Sequence, residues 1–382
     1  MFDMRDIDSF FEGSSTISSA KKKRSAEYSL TRFIKLGFPC FAAALFGLMI
    51  VLPNIKKSAD IRNDITMPRK SEIEKLHAEQ VVMSVTDKKN RISTVWSDNM
   101  DEIEFGSNEI KINAPKAEIP SDSGMINIAA DTGFVNQKNK ILRLEGNVLV
   151  IDEKNNVIST SVATYEFNTE FGYGNEPVQA TGDWGSLSAE GFTYDKNSEI
   201  LTLPGTAVVK TQNGTLTSDE ETKFFQSENK IVSTGNAVAK HDKHTLYADK
   251  IINYLSGGSK KELEKTEAFG NVKIVSEKGT ARAKRALYNN KTQRAELFDN
   301  VVISTEKGVA KGSHAIYNQA NNTIDLYGNV VLEQGENFMH GSHVHTDLNT
   351  SISTIVSDKK QGKRVSGTFY NKREAENGKK TK

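Results

Sequence analysis

The feature that most limits what this chain can fold into is a repeat of about thirty residues. A Gly-Asn-Val element recurs as Gly146-Asn147-Val148, Gly235-Asn236-Ala237, Gly270-Asn271-Val272, Asp299-Asn300-Val301 and Gly328-Asn329-Val330. Gly205-Thr206-Ala207 is a degenerate copy. From Asn236 onward the asparagines are 35, 29 and 29 residues apart. An aromatic ladder keeps the same phase through Phe134, Tyr165, Tyr194, Phe224, Tyr254, Tyr288 and Tyr317, with Thr346 in the eighth place. Self-similarity at this period marks an architecture in which each unit needs its neighbours to bury a face.

Each unit reads as strand, turn, strand. In residues 292–304, Ala295 and Leu297 alternate with polar positions, Asp299-Asn300 is expected to turn the chain, and Val301 and Ile303 resume the alternation. Apolar residues at every second position mark a strand with one buried face. Asn and Gly tolerate positive φ and suit the reversal. The predicted interior is Leu142, Leu144, Val148 and Val150 in one unit and Leu201, Leu203 and Val209 in the next. It continues through Val272 and Ile274, then Leu297, Val301 and Ile303, then Leu326, Val330 and Leu332. Lys273 between Val272 and Ile274 sets the middle position outward. The expectation is an all-β, elongated stack of strands, with no helical period beyond residue 80.

Ahead of the repeats, residues 36–55 carry no charge over twenty positions. That is the length a helix needs to cross a hydrocarbon core of ~30 Å. The run is longer than a signal-peptide core and Lys56-Lys57 follow it, so an uncleaved anchor is expected. Six basic residues within 21–35 favour a cytoplasmic N-terminus, with the bulk of the chain translocated. Residues 56–80 form a polar linker, with helix-forming character over 71–79 where Ser71 and Glu74 resemble a capping box.

The 382 residues carry a net charge of only +1, which excludes a general nucleic-acid binder. That total is a cancellation: residues 21–35 contribute 6 − 1 = +5, residues 359–382 contribute 9 − 2 = +7, and the remainder is 1 − 12 = −11. The basic end is expected to be an unstructured tail over 357–382. One cysteine, Cys40, makes neither an intramolecular disulfide nor a cysteine-based zinc site. No nucleotide loop, zinc-protease helix or nucleophile elbow is present, so no catalytic residues and no cofactor are expected. His340, His343 and His345 form the one histidine cluster, read as polar residues on a terminal strand rather than as a metal site.

At this point the residues resemble the lipopolysaccharide-export proteins LptC and LptA, the OstA-like repeat family. Residues 178–185 (VQATGDWG), then Ser188-Ala189-Glu190-Gly191-Phe192 and Leu201-Thr202-Leu203-Pro204-Gly205, are similar to an LptC run. Ala286-Leu287-Tyr288 and Ala315-Ile316-Tyr317, each ahead of a Gly-Asn-Val type element, resemble the LptA repeat. The division implied is an LptC-like domain over 81–210 and LptA-like repeats over 211–356. The resemblance implies a twisted β-jellyroll whose cleft carries the acyl chains of lipopolysaccharide. It implies an inner-membrane ABC transporter as the donor, and an LptA-like or outer-membrane translocon jellyroll joined by edge-strand pairing. It also implies a periplasmic location and no enzymatic activity. Read from the residues alone, the aliphatic interior serves a closed core as well as a groove; the resemblance favours the groove, with the fifteen interior residues named above lining it. The chain is longer than a typical LptC, as though LptA-type repeats were fused behind it. Edge strands available for pairing are expected at 81–95 and 338–356.

Overall fold

The computed structural model of the chain describes residues 77–86, 90–104, 108–120, 124–153, 155–212, 214–256, 262–350, 352–357 and 365–368. The predicted membrane span at 36–55 lies outside them. Among the described residues no helix is long and apolar enough to cross a membrane. Among the described residues all regular structure is β, 26 strands joined in one sheet. It runs from His77–Thr86, which pairs with Ile92–Glu102, to the last described strands, Ile352–Val356 and Ser366–Thr368.

The Gly-Asn elements are not hairpin turns, contrary to the sequence expectation. They lie in the middle of continuous strands such as Ile141–Ile151, Lys230–His241, Arg294–Thr305 and Thr323–Gln334. Both residues of the pair take positive φ, 71° and 44° at Gly146 and Asn147 and 64° and 54° at Asp299 and Asn300. Two consecutive left-handed residues cannot continue a pleated ladder, so the register slips there, as between Glu145 and Val148 or Phe298 and Val301. The strand bends and its halves pair separately. Residues 141–145 of one such strand pair with Thr132–Asn136, and 149–151 pair with Met125–Ala129. The sheet is thereby folded along a line of corners into two arms.

Three of the corners are clasped by a side chain. Asn147 Nδ2 donates to Asp131 at 2.9 Å, Asn236 Nδ2 to Asp219 at 3.2 Å, and Asn271 Nδ2 to both oxygens of Asp249 at 3.1 and 3.0 Å. The true reversals sit at the arms' free rims. Four-residue turns at 137–140, 167–170, 196–199, 226–229, 290–293 and 319–322 end on Lys140, Glu170, Glu199, Asn229, Gln293 and Asn322, each at φ between 50° and 55°.

Buried side chains from both arms share one interior. Leu297, before the corner, and Val301, after it, belong to the same cluster, so the inner faces oppose one another. There are two clusters. The first spans Val95 to Phe224 and is dense with Ile and Leu; the second spans Ala237 to Val344 and is rich in alanine. Between them the interior turns polar: Ser218 Oγ, Thr222 Oγ1 and Ser233 Oγ form a buried hydroxyl chain with spacings of 2.7 and 2.9 Å.

The rest of the chain departs from expectation in two places. His77 to Glu79, within the stretch read as helix-forming, are extended and belong to the first strand. Ser366–Thr368, within the tail expected to lack structure, pairs with residues 338–340.

Candidate functional site: an apolar row across the sheet

Cross-strand partners on the arm beyond the corners line up into one row. It begins Val95–Ala117–Ile128–Val150–Ile158–Ala180–Leu187–Val209–Leu216, each residue opposite the next on adjacent strands. It continues Leu216–Ala239–Leu246–Ile274–Ala281–Ile303–Ala310–Leu332–Met339. Every member is apolar, and small residues alternate with large ones through much of the run. Directly opposed side chains on one face of a sheet stand about 4.5–5.5 Å apart at Cβ, so the row forms an unbroken apolar track.

Its exposure changes along its length. Up to Val209 the members are buried, with Val150 and Ile158 partly so. From Leu216 to Met339 every member is only partly buried, and those up to Leu332 pack against the second cluster. The rims match this change. In the first half Trp184, on the tip of a two-residue hairpin, folds into the core at 5% exposure. In the second half the corresponding tips, residues 241–244, 277–278, 305–307 and 334–336, are exposed and carry charged or polar side chains. The result is a closed interior that opens into an apolar trough.

The fifteen residues named from sequence all face this interior. Leu142, Leu144, Val148, Leu201, Leu203 and Val209 fill the closed half, and Val150 packs against it. Val272, Leu297, Val301, Leu326 and Val330 are buried beside the corners of the open half. Ile274, Ile303 and Leu332 are the ones the trough leaves accessible. Alternation also reveals members the sequence reading left out, Leu246, Ala281, Ala310 and Met339, which lie on the return strands. Their signal was present: the same period-2 pattern read backwards from the rim.

The aromatic ladder is only partly a single row. Tyr165, Tyr194 and Phe224 are buried in one line with Leu142, Leu201 and Ile231. Burial pushes the phenols of Tyr165 and Tyr194 upward, that of Tyr194 to about 12. Tyr288 and Tyr317 hold the same line farther on, beyond a polar break where Thr266 Oγ1 donates to Asn253 at 2.8 Å. Phe134 and Tyr254 are displaced by one residue and face outward, Tyr254 beneath the Lys265 ammonium at 4.8 Å.

The histidine cluster divides. His343 and His345 share a face, and both hydrogen-bond one oxygen of Asp325 on the neighbouring strand, at 2.9 and 2.8 Å. His340 lies on the other side of the corner, opposite Val331. Burial raises the Asp325 carboxyl, and the hydrogen bonds from His345 and His343 outweigh it, leaving it below the ordinary range. His343 also stacks on Tyr327 at 4.4 Å, continuing a stripe through His314 to Phe298. Among the described residues no group of three or more His, Cys, Asp or Glu is arranged to hold a metal ion. A cavity of about 600 Å³ at the opposite end is lined by Trp96, Lys116, Glu118 and Leu149, together with the row members Ala117 and Ile128.

Comparison with known proteins finds two family matches along the chain. Residues 41–212 match the lipopolysaccharide-assembly, LptC-related family. Residues 215–314 and 301–352 match the family of LptA and LptD N-terminal domains, LPS transport proteins. The two matches meet beside the buried hydroxyl chain. Among solved structures, the chain matches LptH from Pseudomonas aeruginosa, described as the LptA homologous periplasmic component of a lipopolysaccharide transport device. Identity there is 14%, the match covers 41% of this chain and 94% of that one, and the TM-score is 0.21. No curated protein sequence matches. The chain belongs to the Lpt family of lipopolysaccharide-transport proteins, joining an LptC-related part to an LptA-related part.

Proposed function

We propose that this protein is a single-pass inner-membrane component of lipopolysaccharide export, with its β body in the periplasm. It takes lipopolysaccharide from an ABC transporter and passes it towards the outer membrane along the apolar row. The observation that carries this reading is the row itself: seventeen apolar residues from Val95 to Met339, only partly buried from Leu216 onward. An apolar row of this length that the fold leaves only partly covered marks a surface that something apolar occupies. Acyl chains fit such a track, since they need no hydrogen bonds and can slide without register. The transporter's ATP supplies the energy, and the protein acts as a conduit rather than an enzyme. Among the described residues His77–Thr86 and Ile352–Val356 each pair along one edge, and the other edge offers backbone donors and acceptors for pairing with the next jellyroll in line.

Lipid binding by the full chain in detergent tests the reading. Native mass spectrometry with lipid A is expected to show a complex that competing phospholipid does not displace at equal concentration. No complex, or equal displacement, would leave a structural β-repeat rod without lipid cargo as the better description.

A further inference from the structure

Trp184 and Asp183 form a two-residue loop between Gly182 and Gly185, which face each other across the hairpin. Gly185 takes a φ of 132°, open to glycine and strained for other residues. The indole does not project into solvent from this tip. It folds back over Gly182, where a Cβ would lie 2.8 Å from its Nε1 and 1.8 Å from Asn156 Oδ1. Asn156 is itself buried and is held by Asp152, whose carboxylate accepts from the Asn156 backbone N–H at 2.8 Å and from its side-chain amide at 2.6 Å.

Gly182 stands two residues from Ala180 on the inner face, so the indole covers the apolar row one step towards the rim from the Ala180–Leu187 pair. Among the described residues the buried indole N–H has no hydrogen-bond partner. An orphan donor of this kind carries a desolvation cost, which movement to solvent or to a lipid oxygen recovers. One side chain ties the tip itself to the next rung, Gln212, whose exposed amide donates to the Asp183 carbonyl at 3.3 Å, while Gly185 at its base pairs with Thr211 in the ladder.

We propose that Trp184 is the lipid-contacting lid of the closed half of the trough. An acyl chain moving along the row past Ala180 and Leu187 displaces the indole, and the hairpin swings on its two glycines to let it pass. This rests on the lipid-conduit reading above and adds the residue that separates the closed from the loaded state.

The chain has two tryptophans, so Trp96→Phe leaves Trp184 as the sole indole emitter. In the full chain in detergent, lipid A is expected to shift the Trp184 emission to the red. It is also expected to change the acrylamide quenching constant at least twofold, with phosphatidylglycerol at equal concentration doing neither. Unchanged emission and quenching while lipid A co-migrates with the protein would overturn the lid and leave the conduit intact. Absence of lipid A binding would overturn both. Trp184→Ala, with folding checked by circular dichroism, is expected to load lipid A several-fold faster than Trp184→Phe, which still closes the rim. Equal loading rates together with a lower melting temperature for the alanine variant would mark Trp184 as core packing and nothing more.

Discussion

Asn271 reaches across the corner of its strand and gives its side-chain amide to both carboxylate oxygens of Asp249 on the strand beside it. The preceding Gly270 has a φ of 73°, and a Cβ there would lie 2.1 Å from the same carboxylate. The clasp and the glycine are therefore coupled. Gly270→Ala is expected to lower stability both by backbone strain and by expelling Asp249, at ~1–3 kcal/mol for the strain alone. Asp249→Ala should cost about 0.5–1.5 kcal/mol. The double variant should cost less than the sum, because the alanine at 249 removes the clash. Urea denaturation of the four proteins reads the cycle.

Val301 and Ile303 sit on one strand and one face, yet Val301 is fully buried and Ile303 is half-exposed. Val301→Asp should unfold the second half, since an unpaired carboxylate in an apolar core is lost only by unfolding or protonation. Ile303→Asp should fold normally and lose lipid A binding at least tenfold. Thermal melts combined with a binding assay separate the two outcomes.

Asp325 is held ionised by His343 and His345, and its carboxyl lies below the ordinary range. A depressed carboxylate contributes stability above its unfolded value, about 3.9, and that contribution disappears as pH falls through the folded value. Asp325→Asn should therefore lower the melting temperature at pH 7, and the difference from wild type should shrink below pH 4. A constant difference from pH 7 to pH 3 would contradict this assignment.

Tyr165 and Tyr194 behave in the opposite sense. Burial favours their neutral phenols, so the stability they contribute is complete below the unfolded value near 10 and falls as pH rises through the folded values, about 12 for Tyr194. Ultraviolet titration should show these two ionising only with alkaline unfolding of the first half.

The repeat period, the inward faces and the positive φ of Gly146, Asn147 and their counterparts were legible because they depend on local sterics and on period-2 alternation. The role of those positions was not. A Gly-Asn pair between two apolar runs fits a hairpin and a mid-strand corner equally well, and only pairing with two different partner strands distinguishes them. The actual reversals end on residues such as Lys140, Glu170 and Glu199, whose types carry no turn signature; the repeated tight geometry imposes their positive φ. The aromatic ladder misled for a related reason. A one-residue offset at Phe134 and Tyr254 keeps the spacing nearly intact while reversing the face. The lining residues were found on the outgoing strands and missed on the returning ones, where alanine at 281 and 310 gives a weak signal. The half-exposure of Ile274, Ile303 and Leu332 was not legible at all, because burial on this face depends on whether a residue such as Trp184 closes the opposite rim.

The central claim is that the row from Leu216 to Met339 carries acyl chains, and site-specific photo-crosslinking during export tests it most directly. A photo-reactive residue at Ile274, Ile303 or Leu332 should capture lipopolysaccharide in an ATP-dependent manner. The same residue at the outward neighbours Lys273, Val302 or Val331 should not. Adducts from the outward set, or equal yields from both, would contradict an interior lipid track.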